Sequence, residues 1–323
     1  MGKSVLLYNL CAVAAGLLGS TALHAQSWPT KPVRVIVPFA PGGGTDIQAR
    51  LLGKAFHDSM GQTFVIENRA GASGLIGAEL IARSPADGYN ILFTTASLSV
   101  NVSLYKKIAF DPLKDLMPVS WISSVPLVLV VHPSVPVKSA QELVALTKRQ
   151  TGGLNGASNG AGTTSHLSLE MLKQFAGAKL EHIAYKGGGP AIAAMVSGEV
   201  DFQFATALAA QPFIKQGKVR PLAVTTAKRS GAFPELPTMA SIYPGFESDN
   251  WYAMFFPAGT PKEIVAKLNA EIVKALNAPD LREFIIKEGG DPVGSTPEEL
   301  AAYFKREVDK YAKIIKAGNI TAD

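Results

Sequence analysis

An α/β fold in two lobes is predicted by three features of the sequence. Short β-branched runs repeatedly meet loops rich in Gly, Ser and Thr, and each loop opens a helical pattern, the alternation that builds parallel strands covered by helices. The chain's 323 residues exceed the usual size of one domain. At 47% hydrophobic and 18% charged, it can bury a sizeable core, which excludes disordered, collagen-like and small disulfide-scaffold classes.

Before the first strand, residues 1–25 read as an export signal: Lys3, an apolar run from Val5 to Leu18, then small residues ending at Ala22-Leu23-His24-Ala25. Tyr8 and Asn9 interrupt the run, which falls short of the ~20 apolar residues a membrane span needs. Cleavage near Ala25 makes Gln26 the mature start and removes Cys11, the chain's one cysteine. Thiol catalysis, disulfides and thiolate metal sites are thereby excluded. Loss of Lys3 lowers the net charge from +5 to +4, spread without a Lys/Arg block, so nucleic acid is not an expected partner. Such a mild positive bias suits anionic solutes as well as it suits plain solubility.

Val33 to Val37 reads as the first strand, leading through Pro38-Phe39-Ala40-Pro41-Gly42-Gly43-Gly44-Thr45-Asp46 into a helix ending about Ser59, with Thr45 and Gln48 at capping-box spacing. Phe64 to Ile66 leads through Glu67-Asn68-Arg69-Ala70-Gly71-Ala72-Ser73-Gly74 into a helix ending about Arg83, and Ile91 to Phe93 leads into Thr94-Thr95-Ala96-Ser97. The second series begins at Val128 to Val131, with Ser139 and Glu142 boxing a helix start. Leu154 to Ala157 enters the loop from Ser158 to His166, Leu180 to Ala184 enters Tyr185-Lys186-Gly187-Gly188-Gly189-Pro190, and Val200 to Ala205 and Val219 to Thr225 complete the set. Phe233 to Asp249, rich in Pro and Gly, reads as the connection back to the first lobe. Thr260-Pro261-Lys262-Glu263 and Thr296-Pro297-Glu298-Glu299 each predict a capped start for one of two closing helices.

A glycine-rich turn between strand and helix leaves backbone N–H groups unpaired beside the positive end of the helix dipole, which is a site for an anion. Two such loops, 38–46 and 158–166, fall in different lobes; facing each other across a cleft they could hold a carboxylate with neutral donors. Hydroxyls of Thr45, Ser97, Ser158, Thr163, Thr164 and Ser165 would add hydrogen bonds without charge, and Ser158→Ala or Thr163→Ala is expected to weaken a ligand without unfolding the protein. Asp46 reads equally as a helix-start residue, and His166 as a packing or capping residue.

Two enzymatic motifs lose a necessary part. Gly156-Ala157-Ser158-Asn159-Gly160 fits a nucleophile elbow, yet no histidine follows His182, so a hydrolase triad on Ser158 lacks its late base. Gly42-Gly43-Gly44 starts like a dinucleotide fingerprint, but Ile47 occupies the third glycine position. The histidines at 57, 132, 166 and 182 lack metal spacing, so no metal or cofactor is expected.

Trp28-Pro29-Thr30-Lys31-Pro32-Val33-Arg34, the stretch from Val37 to Asp46, the stretch from Glu67 to Gly74, Asp87-Gly88-Tyr89, His166-Leu167, Tyr185-Lys186-Gly187 and Gly198-Glu199-Val200-Asp201 together resemble the Bug, or TctC-like, extracytoplasmic solute receptors of tripartite tricarboxylate transporters. The resemblance implies a type II periplasmic binding fold. Each lobe would be a mostly parallel sheet flanked by helices: lobe 1 from 26–124 and 248–323, lobe 2 from 125–247, with a central ligand cleft between them. It implies a monomeric periplasmic receptor that closes on a small organic carboxylate and passes it to the transporter's membrane components. The carboxylate would be held by backbone groups and waters of the loops matching Phe39 to Gly43 and Ser158 to Ser165. Relatives commonly carry Asp where this chain has Ala205; either its loss removes the partner for a ligand ammonium and favours a non-amine dicarboxylate, aromatic (phthalate-type) or aliphatic, or Ala205 simply packs. The candidate ligand-binding residues are therefore Phe39, Ala40, Gly42, Gly43, Thr45, Asp46, Thr95, Ser97, Ser158, Thr163, Thr164, Ser165, His166, Tyr185, Ala205 and Thr206. A secreted serine hydrolase and the sensor subunit of a signalling system are the alternatives.

Overall fold

The computed structural model describes residues 28–105, 107–226, 229–287 and 289–321; the expected signal, Cys11 and the cleavage point near Ala25 lie outside them. The first half starts with β1 (Val33–Val37), α1 (Gly44–Met60), β2 (Phe64–Asn68), α2 (Leu75–Ala82), β3 (Asn90–Thr95), α3 (Ser97–Leu104) and the single turn α4 (Pro112–Asp115). β4 (Leu116–Val131) carries the chain into the second half, made of α5 (Ala140–Arg149), β5 (Leu154–Ser158), α6 (Thr164–Ala176), β6 (Leu180–Ala184), α7 (Gly188–Ser197), β7 (Phe202–Thr206), α8 (Ala207–Lys215), β8 (Arg220–Val224) and α9 (Met239–Ile242). β9 (Asp249–Pro257) returns to the first half, followed by α10 (Lys262–Asn277), α11 (Pro279–Lys287), β10 (Asp291–Pro292) and α12 (Pro297–Gly318).

β1 lies parallel between β2 and β3, and β5 lies parallel between β6 and β7, so each half contains the parallel trio that the alternation predicts. Antiparallel pairing enters through β4 and β9, the strands that join the halves, which makes both sheets mixed. β4 pairs with β9 as far as Pro126, opposite Asp249, and with β7 from Leu127, opposite Thr206. One long strand therefore belongs to both sheets.

Strand periodicity assigns the core. Val33, Val35 and Val37 pack on one face with Leu52 and Phe56 of α1, while Ile36 packs on the other with Phe304 of α12. Likewise Tyr252, Met254 and Phe256 of β9 join the first cluster, and Trp251 and Phe255 the second. With helices on both faces, these strands are apolar on both sides and read as continuous hydrophobic runs.

Helix starts differ in detail from the sequence reading. Thr296 and Glu299 form the full reciprocal box at α12. Ser139 caps α5, but the Glu142 carboxylate accepts from the Lys138 amide. Thr45 and Gln48 form no box, because α1 begins at Gly44 with Gly43 as its cap, and the Gln48 carbonyl instead accepts from Ser123 at 2.7 Å. Thr260 donates to the Pro257 carbonyl and leaves α10 without a side-chain cap. Three helices rather than two close the chain, since the helical stretch after Lys262 breaks at Ala278, ahead of Pro279.

Candidate functional site

The loop from β1 to α1 is held from behind. Asp46 accepts from the Gly42 amide (3.1 Å), from Arg50 Nε (3.0 Å) and from Asn68 Nδ2 (3.1 Å), and Asn68 also donates to the Phe39 carbonyl (3.0 Å). Burial alone would raise the Asp46 carboxyl, but the bonds from Arg50, Gly42 and Asn68 outweigh it and hold it below the ordinary carboxylate range. Gly42 can take its φ of +85° because it has no Cβ. The result is a turn that presents the start of α1 outward.

The loop from β5 to α6 is fixed the same way. Thr163 caps α6, accepting from the His166 amide (3.3 Å) and donating to the Gly160 carbonyl (2.8 Å). His166 Nδ1 accepts from the Gly162 amide (3.0 Å), and its ring stacks on His182 at 4.1 Å. The third loop, between β6 and α7, meets the first across the gap: Ala40 donates its amide to the Lys186 carbonyl at 3.2 Å.

These loops enclose a cavity of about 20 Å³, room for roughly one water. Its wall takes Gly43, Gly44 and Thr45 from the start of α1, Ser97 from α3, Thr163 and Thr164 from α6, Gly188 from α7 and Thr206 from the cap of α8. Phe39, Ala40, Thr95, Asn159, Asn250 and Tyr252 complete it. Five helix N-termini thus converge on one space whose lining carries no Asp, Glu, Lys, Arg or His. The amides of Gly44, Thr45, Thr164, Ser165, Gly188 and Ala207 make no hydrogen bond to another described residue. Tyr252 adds a buried hydroxyl that lies beside Asn250, Thr45 and Thr206 without a well-formed bond to any of them, and burial raises its pKa. Free amides, positive dipole ends and a neutral hydroxyl are chemistry that favours an anion, and the wall carries no carboxylate to form an ion pair with an ammonium.

Of the sequence candidates, Phe39, Ala40, Gly43, Thr45, Thr95, Ser97, Thr163, Thr164 and Thr206 meet on this wall. Gly42 and Asp46 stand behind it as described. The Ser165 hydroxyl donates to the Phe204 carbonyl (2.7 Å), His166 belongs to the loop scaffold, and Tyr185 donates to Glu199 (2.7 Å) while lining a neighbouring chamber. Ser158 is fully buried, 2.6 Å from His182 Nε2, and its oxygen accepts from the Gly160 amide (3.1 Å). The elbow-like motif therefore shapes a turn and exposes no serine oxygen. The Ser158 and Thr163 hydroxyls are engaged by the protein, so their loss acts on the loop scaffold as well as on the cavity. The candidate Ala205 is corrected to the second of its two readings, packing: strand alternation turns it into the core opposite Val128, and Thr206 is the residue at the wall.

Gly44, Asn159, Gly188, Asn250 and Tyr252 were not among the sequence candidates. Gly44 and Gly188 lie in glycine runs that predict helix starts, and Asn159 follows Ser158. Asn250 and Tyr252 sit in a hydrophobic strand, and only its pairing beside β3 and β4 brings them to the cavity.

Two lobes joined by crossing strands, with helix N-termini facing a shared cleft, define the periplasmic binding protein class of α/β folds, and solved periplasmic proteins superpose on nearly the whole chain. Residues 48–320 match the tripartite tricarboxylate transporter family receptor, and the chain belongs to that family. It is similar to Protein BugT of Bordetella pertussis, 36% identical over 98% of this chain and 97% of BugT. Among solved structures, Rpa4515 of R. palustris with adipate is 35% identical with a TM-score of 0.88, covering 91% of this chain and 99% of that one. MatC of Rhodopseudomonas palustris with bound malate is 32% identical with a TM-score of 0.85, covering 89% and 100%.

Proposed function

We propose that this protein is a periplasmic receptor, exported by a signal cleaved near Ala25. It captures a small organic carboxylate by closure of its cleft and delivers it to the membrane components of a tripartite tricarboxylate transporter. The observation that carries this reading is the convergence of five helix N-termini on a wall without a charged side chain. That wall suits a carboxylate and gives an ammonium no carboxylate partner, which favours a non-amine dicarboxylate, phthalate-like or aliphatic, over an amino acid. Adipate and malate, held by Rpa4515 and MatC, are ligands of this kind. A cavity of about 20 Å³ walled by both halves admits such a solute only when the halves part. The hinge then falls where β4 changes sheets after Pro126 and where the chain re-enters the first sheet at Asp249, close to lobe boundaries at 124/125 and 247/248. The protein acts as a monomer, without cofactor and without chemistry on its ligand.

Mass spectrometry of the small molecule that copurifies with the protein, followed by calorimetry against dicarboxylates, monocarboxylates, amino acids and neutral sugars, tests the reading. Binding confined to carboxylates is expected. Binding confined to cationic or neutral solutes would overturn it.

A further inference from the structure

A second chamber of about 260 Å³ lies beside the amide cavity and shares Phe39 and Asn159 with it. Both halves build it: Pro38, Phe39, the loop from Ala70 to Gly74 and Tyr105 from one, and the turns around Gly160 and Tyr185 from the other. Three features set its character. Its walls are largely apolar and aromatic, and the Tyr185 ring is anchored by the hydroxyl's bond to Glu199. The loop at its back is held in an uncommon conformation, with Ala72 at φ +44° and Ser73 at φ +53°, while Asn101 donates to the Ser73 carbonyl at 2.9 Å. Non-glycine residues persist there only where the surroundings impose it, so this wall has a fixed shape. Finally, Lys186 is the one charged residue on the chamber's lining, and it has no ion-pair partner among the described residues. Its carbonyl accepts the Ala40 amide that bridges the halves, so the lysine backbone is fixed at the junction where the two spaces close.

Resting on the carboxylate reading above, we propose that the body of the solute lies in this second chamber, and that Lys186 makes its remote end a second carboxylate. The amide cavity is neutral and tight, so it recognises one carboxylate head and little else. The chamber is larger, with the volume of several waters at roughly 30 Å³ each, which suits a chain or ring of several carbons. Lys186 is an exposed residue of the chamber lining, so an anionic tail within reach of its ammonium is attracted and a hydrocarbon tail is not. Preference between diacid and monoacid is then set at Lys186, and affinity for the first carboxylate is set at the helix starts.

Calorimetric titration of the purified mature protein with adipate and with hexanoate, which share a six-carbon body, tests this. Adipate is expected to bind about tenfold more tightly, as a charge-assisted contact allows. Lys186→Gln is expected to bring adipate down to the hexanoate level while leaving hexanoate unchanged, and added salt should shrink the adipate advantage in the unaltered protein. Equal affinity for the two acids, or equal weakening of both by Lys186→Gln, would overturn the inference and leave the carboxylate reading standing. Failure of both acids to bind, with an amine or a sugar binding instead, would remove the two together.

Discussion

A methyl group at Gly189 would sit 2.7 Å from the Pro41 carbonyl oxygen, 3.4 Å from the Gly42 carbonyl carbon and 3.5 Å from the Gly43 nitrogen. Gly189 starts α7 in one half, and Pro41 precedes α1 in the other, so this overlap exists only while the halves are together. Contacts between carbon atoms settle at about 3.5–4.0 Å, so the loops must part by several tenths of an ångström to admit the methyl. Overpacking of this kind costs about 1–3 kcal/mol. Gly189→Ala is therefore expected to weaken binding of adipate, measured by calorimetry, by about 5- to 150-fold. Any cost of a Cβ ahead of Pro190 falls equally on open and closed forms, and so appears in the thermal midpoint of the ligand-free protein rather than in the affinity. A Gly189→Ala protein that binds as tightly as the unaltered one would refute closure through this contact.

Three further outcomes are expected. Tyr252→Phe deletes a buried hydroxyl that has no well-formed bond, so thermal stability should hold while carboxylate affinity falls about 5- to 10-fold; unchanged affinity would remove Tyr252 from the site. Thr163→Ala removes the cap of α6 and should lower the thermal midpoint by about 2–4 °C for a cost of about 1 kcal/mol, with an unshifted midpoint contradicting the capping role. Burial pushes the Asp249 carboxyl up to about 7, Lys310 opposing and Glu247, Glu307 and Asp291 adding to it. The native state then binds more protons than the unfolded chain between about pH 4 and 7, so this group's contribution is full at the acid end and lost as pH rises through about 7. Asp249→Asn should match the parent's thermal midpoint near pH 4 and exceed it at pH 8, by up to about 4 kcal/mol of stability; a constant offset between the two pH curves would contradict the assignment.

What could be read in the chain follows from which forces are local. The Val33 to Val37 run, the glycines after it and the loop from Ser158 to His166 announce strand ends and helix starts through backbone geometry, and these starts supply much of the cavity wall. Partners distant in sequence were not legible. Pro118 and Pro126 disguise the length of β4, which tolerates them because its pairing shifts after Pro118 and changes sheets after Pro126. Asp46 reads either as a helix-start residue or as a ligand contact until Arg50 and Asn68 are seen to occupy it. Asn250 and Tyr252 look like core, since only the order β3-β9-β4 turns that strand toward the cleft.

The central claim is that backbone amides at the helix starts grip the solute. A crystal structure grown with the carboxylate that binds most tightly tests it directly: carboxylate oxygens should lie about 2.7–3.2 Å from amides among Gly44, Thr45, Thr164, Ser165, Gly188 and Ala207, directly or through one water. A carboxylate paired to an arginine or lysine with those amides still empty would contradict the account.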